Sequence, residues 1–533
     1  MGILDYFPLA RIRPAQEKAL LFIEQAVLNG HHDIILQAPT GAGKSAVLST
    51  VCNWADATDL GLDGLGGGYY LTAQKLLQDQ LENDIPRYKP GLDRMRSIKS
   101  AVEYECPNFK NCGAAARVKR RCECPTCPYR LAKEAFLCSV IGVTNYAYFF
   151  AERRYSGKLE KRNVLALDEA HSVERQIIRF VDLKVSEDVL ERFAPTISSF
   201  PKFNNLLELL DWVERTYLPE AEQRLNILRV LAESTGNDTA GKDLFDLDQH
   251  VCKTRRAVHD AREDPTQWVF WQEESAQKKV EYIARPLHAA PFRKEMVDDG
   301  GALRIYASAY PGEKRVFCRS LGLVADDTPM CRLTSDFPVE HRPIIIFGVG
   351  SMSKRNQEST LPALLLAVEK VVGKHADSRG IIHGHSYDLC DKIFQRLSGT
   401  VHAGRLIFPR KADEREAACE LHASMPGGVL ITPSMTEGFD FKDDMARWQI
   451  IPKVPYPSLG DRQVKAKADQ DPEWYSCETV KAIVQTCGRV VRSTEDHAVT
   501  YILDDDFWTL MRKADYMFPQ WFVDAVKDAR KKA

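Results

Sequence analysis

The chain has 533 residues, of which 44% are hydrophobic and 27% are charged, with a formal net charge of −2 at pH 7. This length exceeds what one hydrophobic core supports and predicts about three or four domains, while the composition excludes a mainly disordered chain. No apolar run is long enough to span a membrane, and the near-zero charge means that nucleic-acid binding can be argued only from local basic segments. Because the N-terminus also lacks the pattern of a secretion signal, we expect a cytosolic protein.

A phosphate-binding loop follows the first predicted strand. The apolar run 34–37 reads as a buried parallel strand and leads into the loop 38–45, Ala-Pro-Thr-Gly-Ala-Gly-Lys-Ser. The glycines let backbone N–H groups approach phosphate oxygens, Lys44 can reach the terminal phosphates, and Ser45 can bind Mg²⁺. The predicted nucleotide-binding residues of the loop are Thr40, Gly41, Ala42, Gly43, Lys44 and Ser45.

Polar residues on either side of this loop are further candidates. Upstream, the Gln16 amide could bind an adenine edge, although an N-terminal surface turn explains the same residues equally well. Downstream, Thr72 and Gln78 follow another predicted strand and are candidate phosphate contacts on a single nucleic-acid strand.

A cluster of five cysteines follows, at Cys106, Cys112, Cys122, Cys124 and Cys127. Because thiols in a cytosolic chain stay mostly reduced, a dense cluster indicates a metal site and not a disulfide framework. A 4Fe–4S cluster and a structural Zn²⁺ site each take four thiolates, so one cysteine is spare, and the choice between Cys122 and Cys124 is the hardest. The apolar run 136–141 behind the cluster predicts a buried strand.

The cysteine segment is also basic. Residues 94–133 contain ten Lys or Arg and three Asp or Glu. A nucleic-acid path beside the metal would need such a local positive charge, although a solvated loop explains it too.

Another buried strand ends in acidic residues. The apolar run 163–167 is followed by Asp168-Glu169-Ala170-His171. Carboxylates at the end of a strand, downstream of a phosphate loop, suit Mg²⁺ coordination by Asp168 and polarisation of the attacking water by Glu169. Together with Lys44, these residues predict ATP hydrolysis.

A second α/β pattern begins near residue 342. Strands are predicted at 380–383 and 429–432, and the second of these leads into Thr-Glu-Gly-Phe-Asp at 436–440. Gly438 permits a close backbone approach at the end of that strand, so Gly438 and Asp440 are candidate nucleotide contacts.

The segment Gln-x-x-Gly-Arg-x-x-Arg at 485–492 closes the motif series. On a helix, Arg489 and Arg492 would lie about one turn apart on one face and could act together as arginine fingers on the γ-phosphate. A pair of surface arginines is the alternative interpretation. Gln485, Arg489 and Arg492 therefore join Lys44, Asp168 and Glu169 as predicted catalytic residues.

Taken in chain order, these segments resemble the XPD/DinG group of iron–sulfur helicases in superfamily 2. The resemblance is most specific in the phosphate loop, in Asp-Glu-Ala-His and in Gln-x-x-Gly-Arg-x-x-Arg. Ala307-Ser308-Ala309 is similar to the family's Ser-Ala-Thr motif, which couples hydrolysis to movement, but Tyr310 stands where the threonine would be. Cys127-Pro128-Tyr129 resembles the segment that carries the last cluster ligand of the family.

The resemblance implies an α/β fold with two RecA-like parallel-sheet motor domains, an inserted iron–sulfur domain and a mainly helical arch domain. Apolar residues at helical spacing between 172 and 285 agree with such an arch. The expected boundaries are 1–92, 136–171 and 286–341 for motor domain 1, 93–135 for the iron–sulfur domain, 172–285 for the arch domain and 342–533 for motor domain 2.

The activity implied by the resemblance is that of an ATP-dependent DNA helicase that moves 5′ to 3′ on single-stranded DNA and unwinds duplexes in repair, replication or recombination. The implied cofactors are ATP, Mg²⁺ and a 4Fe–4S cluster, with Zn²⁺ as the alternative metal. The expected cluster ligands are Cys106, Cys112, Cys124 and Cys127, with Cys122 as the alternative to Cys124.

The expected partners are single-stranded and forked DNA, and a single-strand-binding protein is a further candidate. We expect a monomer without membrane contact, in the cytoplasm of a bacterial or phage-infected cell and associated with the nucleoid. The second functional hypothesis is an ATP-driven translocase that remodels RNA or protein–DNA complexes without unwinding duplexes.

Overall fold

The structure is a computed structural model of the chain. It describes residues 2–39, 41–73, 78–79, 81, 83, 88–106, 112, 126–157, 159–198, 200–235, 238–274, 278–335, 337–433, 441, 443–491 and 493–530. Six of the residues predicted above to bind nucleotide, phosphate or metal lie outside these ranges: Thr40, Cys122, Cys124, Gly438, Asp440 and Arg492.

The first part of the chain builds most of a parallel sheet. Its strands are short apolar runs that are largely buried, as expected of parallel strands that carry helices on both faces. In chain order the elements are α1 (Pro14–Leu28), β1 (Asp33–Gln37), α2 (Lys44–Ala57), β2 (Leu65–Thr72), β3 (Met95–Ser97), α3 (Pro128–Cys138), β4 (Ile141–Asn145), α4 (Tyr146–Ala151) and β5 (Arg162–Asp168).

Two expectations for this part are wrong. The run 136–141 is not a strand, because α3 continues to Cys138 and β4 begins only at Ile141. Phe136 is buried while the next two side chains are exposed, which is a helical and not an alternating pattern. In addition, β3 pairs with β4 at the edge of the sheet, so residues 95–97 belong to motor domain 1 although the predicted boundary placed them in the iron–sulfur domain.

The arch segment forms a helical layer on a small antiparallel sheet. Its elements are α5 (Val173–Val181), β6 (Leu183–Ser186), α6 (Glu187–Phe193), α7 (Leu206–Trp212), α8 (Leu218–Thr235), α9 (Asp238–Glu263), β7 (Trp268–Glu274) and β8 (Val280–Pro286). β8 pairs with both β6 and β7. This three-stranded sheet at the base of the arch was not predicted.

Buried ion pairs fix the arch to motor domain 1. The Arg154 side chain, which follows α4 and is only 1% exposed, pairs with Asp260 of α9 and lies 2.7 Å from Glu295. Because a buried charge without its partner costs several kcal/mol, this pairing holds the long arch helix in one position.

The chain then returns to the first sheet and completes it. The returning elements are α10 (Arg293–Met296), β9 (Gly301–Ser308), α11 (Lys314–Leu321) and β10 (Met330–Arg332). The sheet has seven strands in the order β10-β1-β9-β5-β2-β4-β3, and its neighbouring strands run parallel. β9 lies between β1 and β5, so the phosphate loop, Ser308 and Asp168 meet at one carboxyl edge.

The remaining part builds a second seven-stranded parallel sheet, in the order β13-β14-β12-β15-β16-β11-β17. Its elements are β11 (Ile344–Ile346), α12 (Gln357–Lys374), β12 (Gly380–His383), α13 (Tyr387–Ser398), β13 (Leu406–Ile407), α14 (Arg415–Ser424), β14 (Val429–Thr432), β15 (Trp448–Ile451), α15 (Arg462–Gln470), α16 (Pro472–Cys487), β16 (Val499–Ile502), α17 (Asp506–Ala514), α18 (Gln520–Ala525) and β17 (Val526–Asp528).

The two sheets confirm the predicted α/β fold with two RecA-like motor domains. The segment predicted to form the arch is mainly helical and also contains the small sheet. Across the described ranges, the helices include none that is both long enough and apolar enough to cross a membrane.

The arch contains a histidine that links its stability to pH. His250 of α9 stacks on Phe193 at 5.8 Å between ring centroids and meets the edge of Tyr217. Burial, with a smaller effect of the Lys253 charge, lowers the pKa of His250 to about 4. In the unfolded chain His250 binds a proton near pH 6.5, whereas in the folded arch it stays neutral down to about pH 4. The stability that is present above pH 6.5 is therefore lost as the pH falls from 6.5 to about 4.

We expect His250→Phe to reduce the acid sensitivity of the arch. The lost contribution amounts to at most about 3 kcal/mol over the window between pH 6.5 and pH 4. The thermal unfolding midpoints at pH 5 and pH 7 should therefore differ less in this variant than in the parent. His259→Phe, at an exposed position of the same helix, is the matched control and should keep the difference of the parent. If the unfolding midpoints of both variants depended equally on pH, His250 would not be the source of the acid sensitivity.

Candidate functional site

The phosphate loop has the backbone that its glycines permit. Gly41 and Gly43 have φ values of 81° and 80°, in the left-handed region that side chains with a Cβ rarely adopt. A Cβ on Gly43 would also lie 2.3 Å from Nε2 of Gln16. Gly43 precedes α2, so Lys44 and Ser45 stand at the N-terminus of a buried helix, where the helix dipole favours an anion.

Gln16 lies against this loop and not in a free surface turn. Its side chain is buried, its Oε1 accepts a hydrogen bond from the Arg13 N–H at 3.0 Å, and its Nε2 lies 3.5 Å from the Gly43 carbonyl. Arg13 donates to the Gly41 carbonyl at 2.8 Å. The structure thus brings the upstream segment to the nucleotide loop, while the adenine contact itself stays a prediction.

A tyrosine joins the two candidate Mg²⁺ ligands. The Tyr70 hydroxyl, on β2, donates to Oδ2 of Asp168 at 2.8 Å and lies 3.4 Å from Oγ of Ser45. Burial raises the pKa of Asp168, the charge of Lys44 opposes this effect, and the charge of Glu169 adds to it. A hydroxyl and a carboxylate are the hard oxygen ligands that Mg²⁺ binds, so Ser45 and Asp168 fit the ion.

Tyr70 was not identified from the sequence, and its loss has a testable effect. Removal of a hydrogen-bond partner behind a metal ligand typically lowers metal affinity about 10- to 100-fold. We therefore expect Tyr70→Phe to raise the Mg²⁺ concentration for half-maximal ATP hydrolysis by about tenfold or more. Tyr69→Phe is the matched control, because the Tyr69 hydroxyl donates to the Glu160 carbonyl, away from the site. An unchanged Mg²⁺ requirement in Tyr70→Phe would refute this role.

Glu169 has the position and charge expected of a residue that orients water. Its φ of 51° is rare for a residue with a side chain, and its Oε2 lies 3.2 Å from Nδ1 of His171. Burial raises the pKa of the Glu169 carboxyl, but the close contact with His171 and the charges of Lys44 and Arg489 outweigh burial and lower the pKa. An ionised carboxylate at this place can accept a hydrogen bond from an attacking water.

The second motor domain reaches the same site through Gln485, near the end of α16. Its Nε2 lies 3.3 Å from Nδ1 of His171 and 3.4 Å from Oγ of Ser308, and it donates to the Tyr310 carbonyl at 3.2 Å. The Lys481 ammonium, one turn earlier, donates to the His171 carbonyl at 3.3 Å. One cleft therefore brings together polar groups from three places: His171 after β5, Ser308 at the end of β9, and Lys481 and Gln485 on α16.

The predicted geometry of the arginine pair is wrong in one respect. α16 ends at Cys487, so Arg489 lies in the turn that follows the helix and not on a helical face. Gly488 is the C-cap residue, and glycine favours such helix ends. Arg489 is nevertheless close enough to Glu169 to lower the pKa of its carboxyl. Arg492, like Gly438 and Asp440, lies outside the described residues.

A buried ion pair connects the start of the arch segment to motor domain 2, farther along the cleft. Glu174 of α5, which follows Asp-Glu-Ala-His closely, pairs with Lys467 of α15 and accepts a hydrogen bond from the Trp474 indole N–H at 3.1 Å. Arg285, at the arch base, lies 3.2 Å from Asp461 of motor domain 2. These contacts place the arch base, the acidic segment and motor domain 2 in one continuous interface.

Two of the clustered cysteines lie together. Sγ of Cys112 is 3.7 Å from Sγ of Cys127, and burial raises the pKa of Cys112 to about 11. Cys106 is partly exposed, and Cys122 and Cys124 lie outside the described residues. The sulfur separation is close to the edge of a Zn–S₄ tetrahedron, which is about 3.8 Å for a Zn–S bond of about 2.3 Å. The pair therefore fits ligation by a thiophilic metal centre, which would have to displace the thiol protons.

The described part of the basic segment is largely neutralised. Arg94 pairs with Asp56 at 2.8 Å, Lys133 pairs with Glu152 at 2.8 Å, and Lys99 pairs with Asp79. The basic run 119–121 lies outside the described residues. The predicted nucleic-acid path beside the cysteines therefore rests on sequence alone.

The two candidate strand contacts downstream of the phosphate loop are buried. Thr72 is inaccessible to solvent, and the Gln78 amide donates to the Ile98 carbonyl at 2.7 Å and to Oγ of Ser97 at 3.2 Å. The prediction for these two residues is wrong, because both side chains are used inside motor domain 1.

Comparison with known proteins finds helicases among the relatives of this chain. Residues 370–525 match the helicase C-terminal domain family. A probable ATP-dependent helicase of Methanocaldococcus jannaschii is 19% identical over 97% of this chain and 95% of its own length. A regulator of telomere elongation helicase 1 homolog of Caenorhabditis elegans is 25% identical, but the aligned part covers only 23% of this chain and 14% of the relative.

Two solved structures have the same fold. A structure titled XPD helicase has a TM-score of 0.65 and 13% sequence identity, covering 98% of this chain and all of the other. Xpd4 of S. tokodaii has a TM-score of 0.57 and 14% identity, covering 97% of this chain. At these identities the likeness establishes the architecture, and the chemistry must be argued from the residues at the cleft.

Proposed function

We propose that this chain is a member of the XPD/DinG-like group of superfamily 2, and that it is an ATP-dependent helicase that moves 5′ to 3′ on single-stranded DNA and unwinds duplexes; its fold, its motif order and its helicase C-terminal domain support the proposal. The observation that carries the proposal is the contact of Gln485 with His171 and Ser308. Through it, the end of the second motor domain's α16 touches the acidic segment and the motif after β9, beside the phosphate loop. A site shared by two domains can convert hydrolysis into domain movement.

Each domain has its own part in hydrolysis. The loop N–H groups and Lys44 hold the phosphates of ATP, and Ser45 and Asp168 would hold Mg²⁺, which would supply positive charge to the phosphate oxygens. Glu169 orients a water that attacks the γ-phosphorus as the bond to the leaving ADP oxygen breaks. Arg489, with Arg492, comes from the other domain and stabilises negative charge in the transition state.

Movement follows from the shared site. ATP between the domains adds contacts to both, so it favours the closed cleft, and loss of the γ-phosphate removes those contacts. A DNA strand that contacts both domains would then be gripped alternately and advance in one direction. We assign the 5′ to 3′ direction from the resemblance, and repair, replication or recombination as the setting.

The clustered cysteines hold a metal in this proposal. The resemblance supports a 4Fe–4S cluster on Cys106, Cys112, Cys127 and either Cys124 or Cys122, which would stiffen a strand-separating domain. Zn²⁺ is the second candidate, and the 3.7 Å separation of the Cys112 and Cys127 sulfurs supports it because this separation is typical of a tetrahedral zinc site. Iron and zinc analysis of anaerobically purified protein decides between them: about four iron atoms per chain with brown colour supports the cluster, and stoichiometric zinc in colourless protein supports the alternative.

The experiment for the proposed function compares substrates. We expect ATP hydrolysis to be stimulated more by single-stranded DNA than by RNA, and duplexes with a 5′ single-stranded tail to be unwound faster than duplexes with a 3′ tail. Blunt duplexes serve as the control, because they offer no strand to load on.

The alternative hypothesis predicts a different result. A translocase that does not unwind would hydrolyse ATP in the presence of a single strand and displace streptavidin from a biotinylated strand, yet leave tailed duplexes intact. That outcome would replace the helicase proposal. Stronger stimulation by RNA would reassign the substrate.

A further inference from the structure

Tyr310 joins the apolar core of the other motor domain. It follows β9 of motor domain 1, two residues after Ser308, and is only 3% exposed. The apolar cluster that contains its ring is built mainly by motor domain 2. Among its members are Trp474, Cys477, Val480, Ile483, Val484, Met517 and Phe518. The ring therefore packs across the cleft, in the neighbouring domain.

A hydrogen bond and close packing hold the Tyr310 side chain in motor domain 2. The Tyr310 hydroxyl donates to the Met517 carbonyl of motor domain 2. At Gly312, a Cβ would lie 2.7 Å from Sγ of Cys477, and the Glu313 N–H lies 3.4 Å from the same sulfur. The whole segment 310–313 is thus pressed against α16.

The backbone of the same residue belongs to the nucleotide site. The Tyr310 N–H donates to Oγ of Ser308 at 3.3 Å, and the Tyr310 carbonyl accepts from Gln485 at 3.2 Å. Ser308 in turn lies 3.0 Å from Nδ1 of His171. One residue therefore has its main chain in the catalytic network and its side chain in the core of the opposite domain.

We propose that Tyr310 is a positioning residue that fixes the axis about which motor domain 2 turns when the cleft opens and closes. Extracting the ring would break a buried hydrogen bond and leave a cavity among side chains that are packed like a solid. Packed interfaces of this kind switch between arrangements by rotation and do not stretch continuously. A threonine, with its short side chain, could not reach the Met517 carbonyl, so this axis depends on the tyrosine.

Tyr310→Phe tests the hydrogen bond alone. Without the bond, ATP must align the domains by itself, so the KM for ATP should rise about two- to tenfold, as one buried neutral hydrogen bond allows, while kcat stays within about twofold. The number of base pairs unwound per ATP should fall by a similar factor. In nucleotide-free protein, amide exchange in 515–518 should become faster. Tyr310→Thr, which also removes the ring, should give larger changes.

Tyr475→Phe is the matched control. The Tyr475 hydroxyl also donates to a backbone carbonyl, that of Pro457 at 3.0 Å, but both residues belong to motor domain 2. This variant should keep the KM, the coupling ratio and the exchange rates of the parent. If Tyr310→Phe behaves like Tyr475→Phe in KM or in exchange, the positioning role is refuted.

The kinetic measurements rest on the proposed function, and the exchange measurement does not. If the parent chain hydrolyses no ATP, the proposed function fails, while the exchange comparison still decides the role of Tyr310. If the parent is active and Tyr310→Phe exchanges like the control, only the role of Tyr310 is refuted.

Discussion

Glu169→Gln is expected to lower the kcat of ATP hydrolysis by about 10²- to 10⁴-fold, the range typical for loss of a positioned acid–base group. The glutamine keeps the shape of the side chain but removes the charge that orients the attacking water. ATP binding should persist, because Lys44, Ser45 and Asp168 are unchanged. The measurements are single-turnover hydrolysis and equilibrium binding of a fluorescent ATP analogue.

Glu160→Gln is the control for this change. Glu160 is exposed and lies at the opposite, amino end of the strand that leads to Glu169. This variant should hydrolyse ATP at the parental rate. If Glu169→Gln kept more than about a tenth of the parental kcat, the role of Glu169 in hydrolysis would be wrong.

Arg489→Ala should also produce a large loss, of about 10³-fold or more in kcat, the lower end of the range measured for arginine fingers. The reason is that Arg489 brings positive charge from motor domain 2 to a site built by motor domain 1, where it already lowers the pKa of Glu169. Closing the cleft would no longer stabilise the transition state, so stimulation by DNA should disappear together with the basal rate.

A lysine substitution separates charge from geometry at this position. Arg489→Lys keeps the charge but loses the planar, bidentate guanidinium, so we expect only partial recovery. Arg512→Ala, at an exposed position of the same domain, should match the parent. Full activity of Arg489→Ala would assign the finger role to Arg492 alone.

The sequence was sufficient to predict the structure where an apolar strand leads into a loop that requires glycines at positive φ. The phosphate loop follows a buried strand and needs glycines at positive φ, so its position and conformation agree with the sequence. Asp168 likewise ends a strand, β5, as the run 163–167 indicates. Their convergence depends on β9 lying between β1 and β5, an order that the sequence alone does not determine.

The small sheet at the arch base could have been recognised. β8 carries the β-favouring residues Val, Tyr and Ile in Val-Glu-Tyr-Ile-Ala-Arg-Pro, and β7 carries the β-favouring Trp-Val-Phe-Trp. The helical spacing of the surrounding apolar residues obscured this local enrichment. The end of α16 shows the opposite case, because Gly488 is the visible signal that Arg489 would leave the helix.

Contacts between segments that are far apart in the chain could not be predicted from the sequence. Tyr70 reads as an apolar strand residue, and only the sheet reveals that its hydroxyl reaches Asp168. Tyr310 reads as a departure from the family motif, and only the packing of the two domains gives it a partner in Met517. The prediction for Gln78 failed in the opposite way: the sequence suggested a polar side chain available to DNA, but the side chain is buried in motor domain 1.

Steady-state ATP hydrolysis with and without single-stranded DNA, measured for the parent chain and for Lys44→Ala, is the most direct test of a two-domain ATP motor. We expect hydrolysis by the parent to be stimulated by the DNA. Lys44→Ala should show neither basal nor stimulated hydrolysis above background, because Lys44 is the charged residue of the phosphate loop 38–45 and its loss removes that charge from the terminal phosphates. Equal DNA-stimulated rates in the two proteins, or no hydrolysis by the parent, would contradict the account.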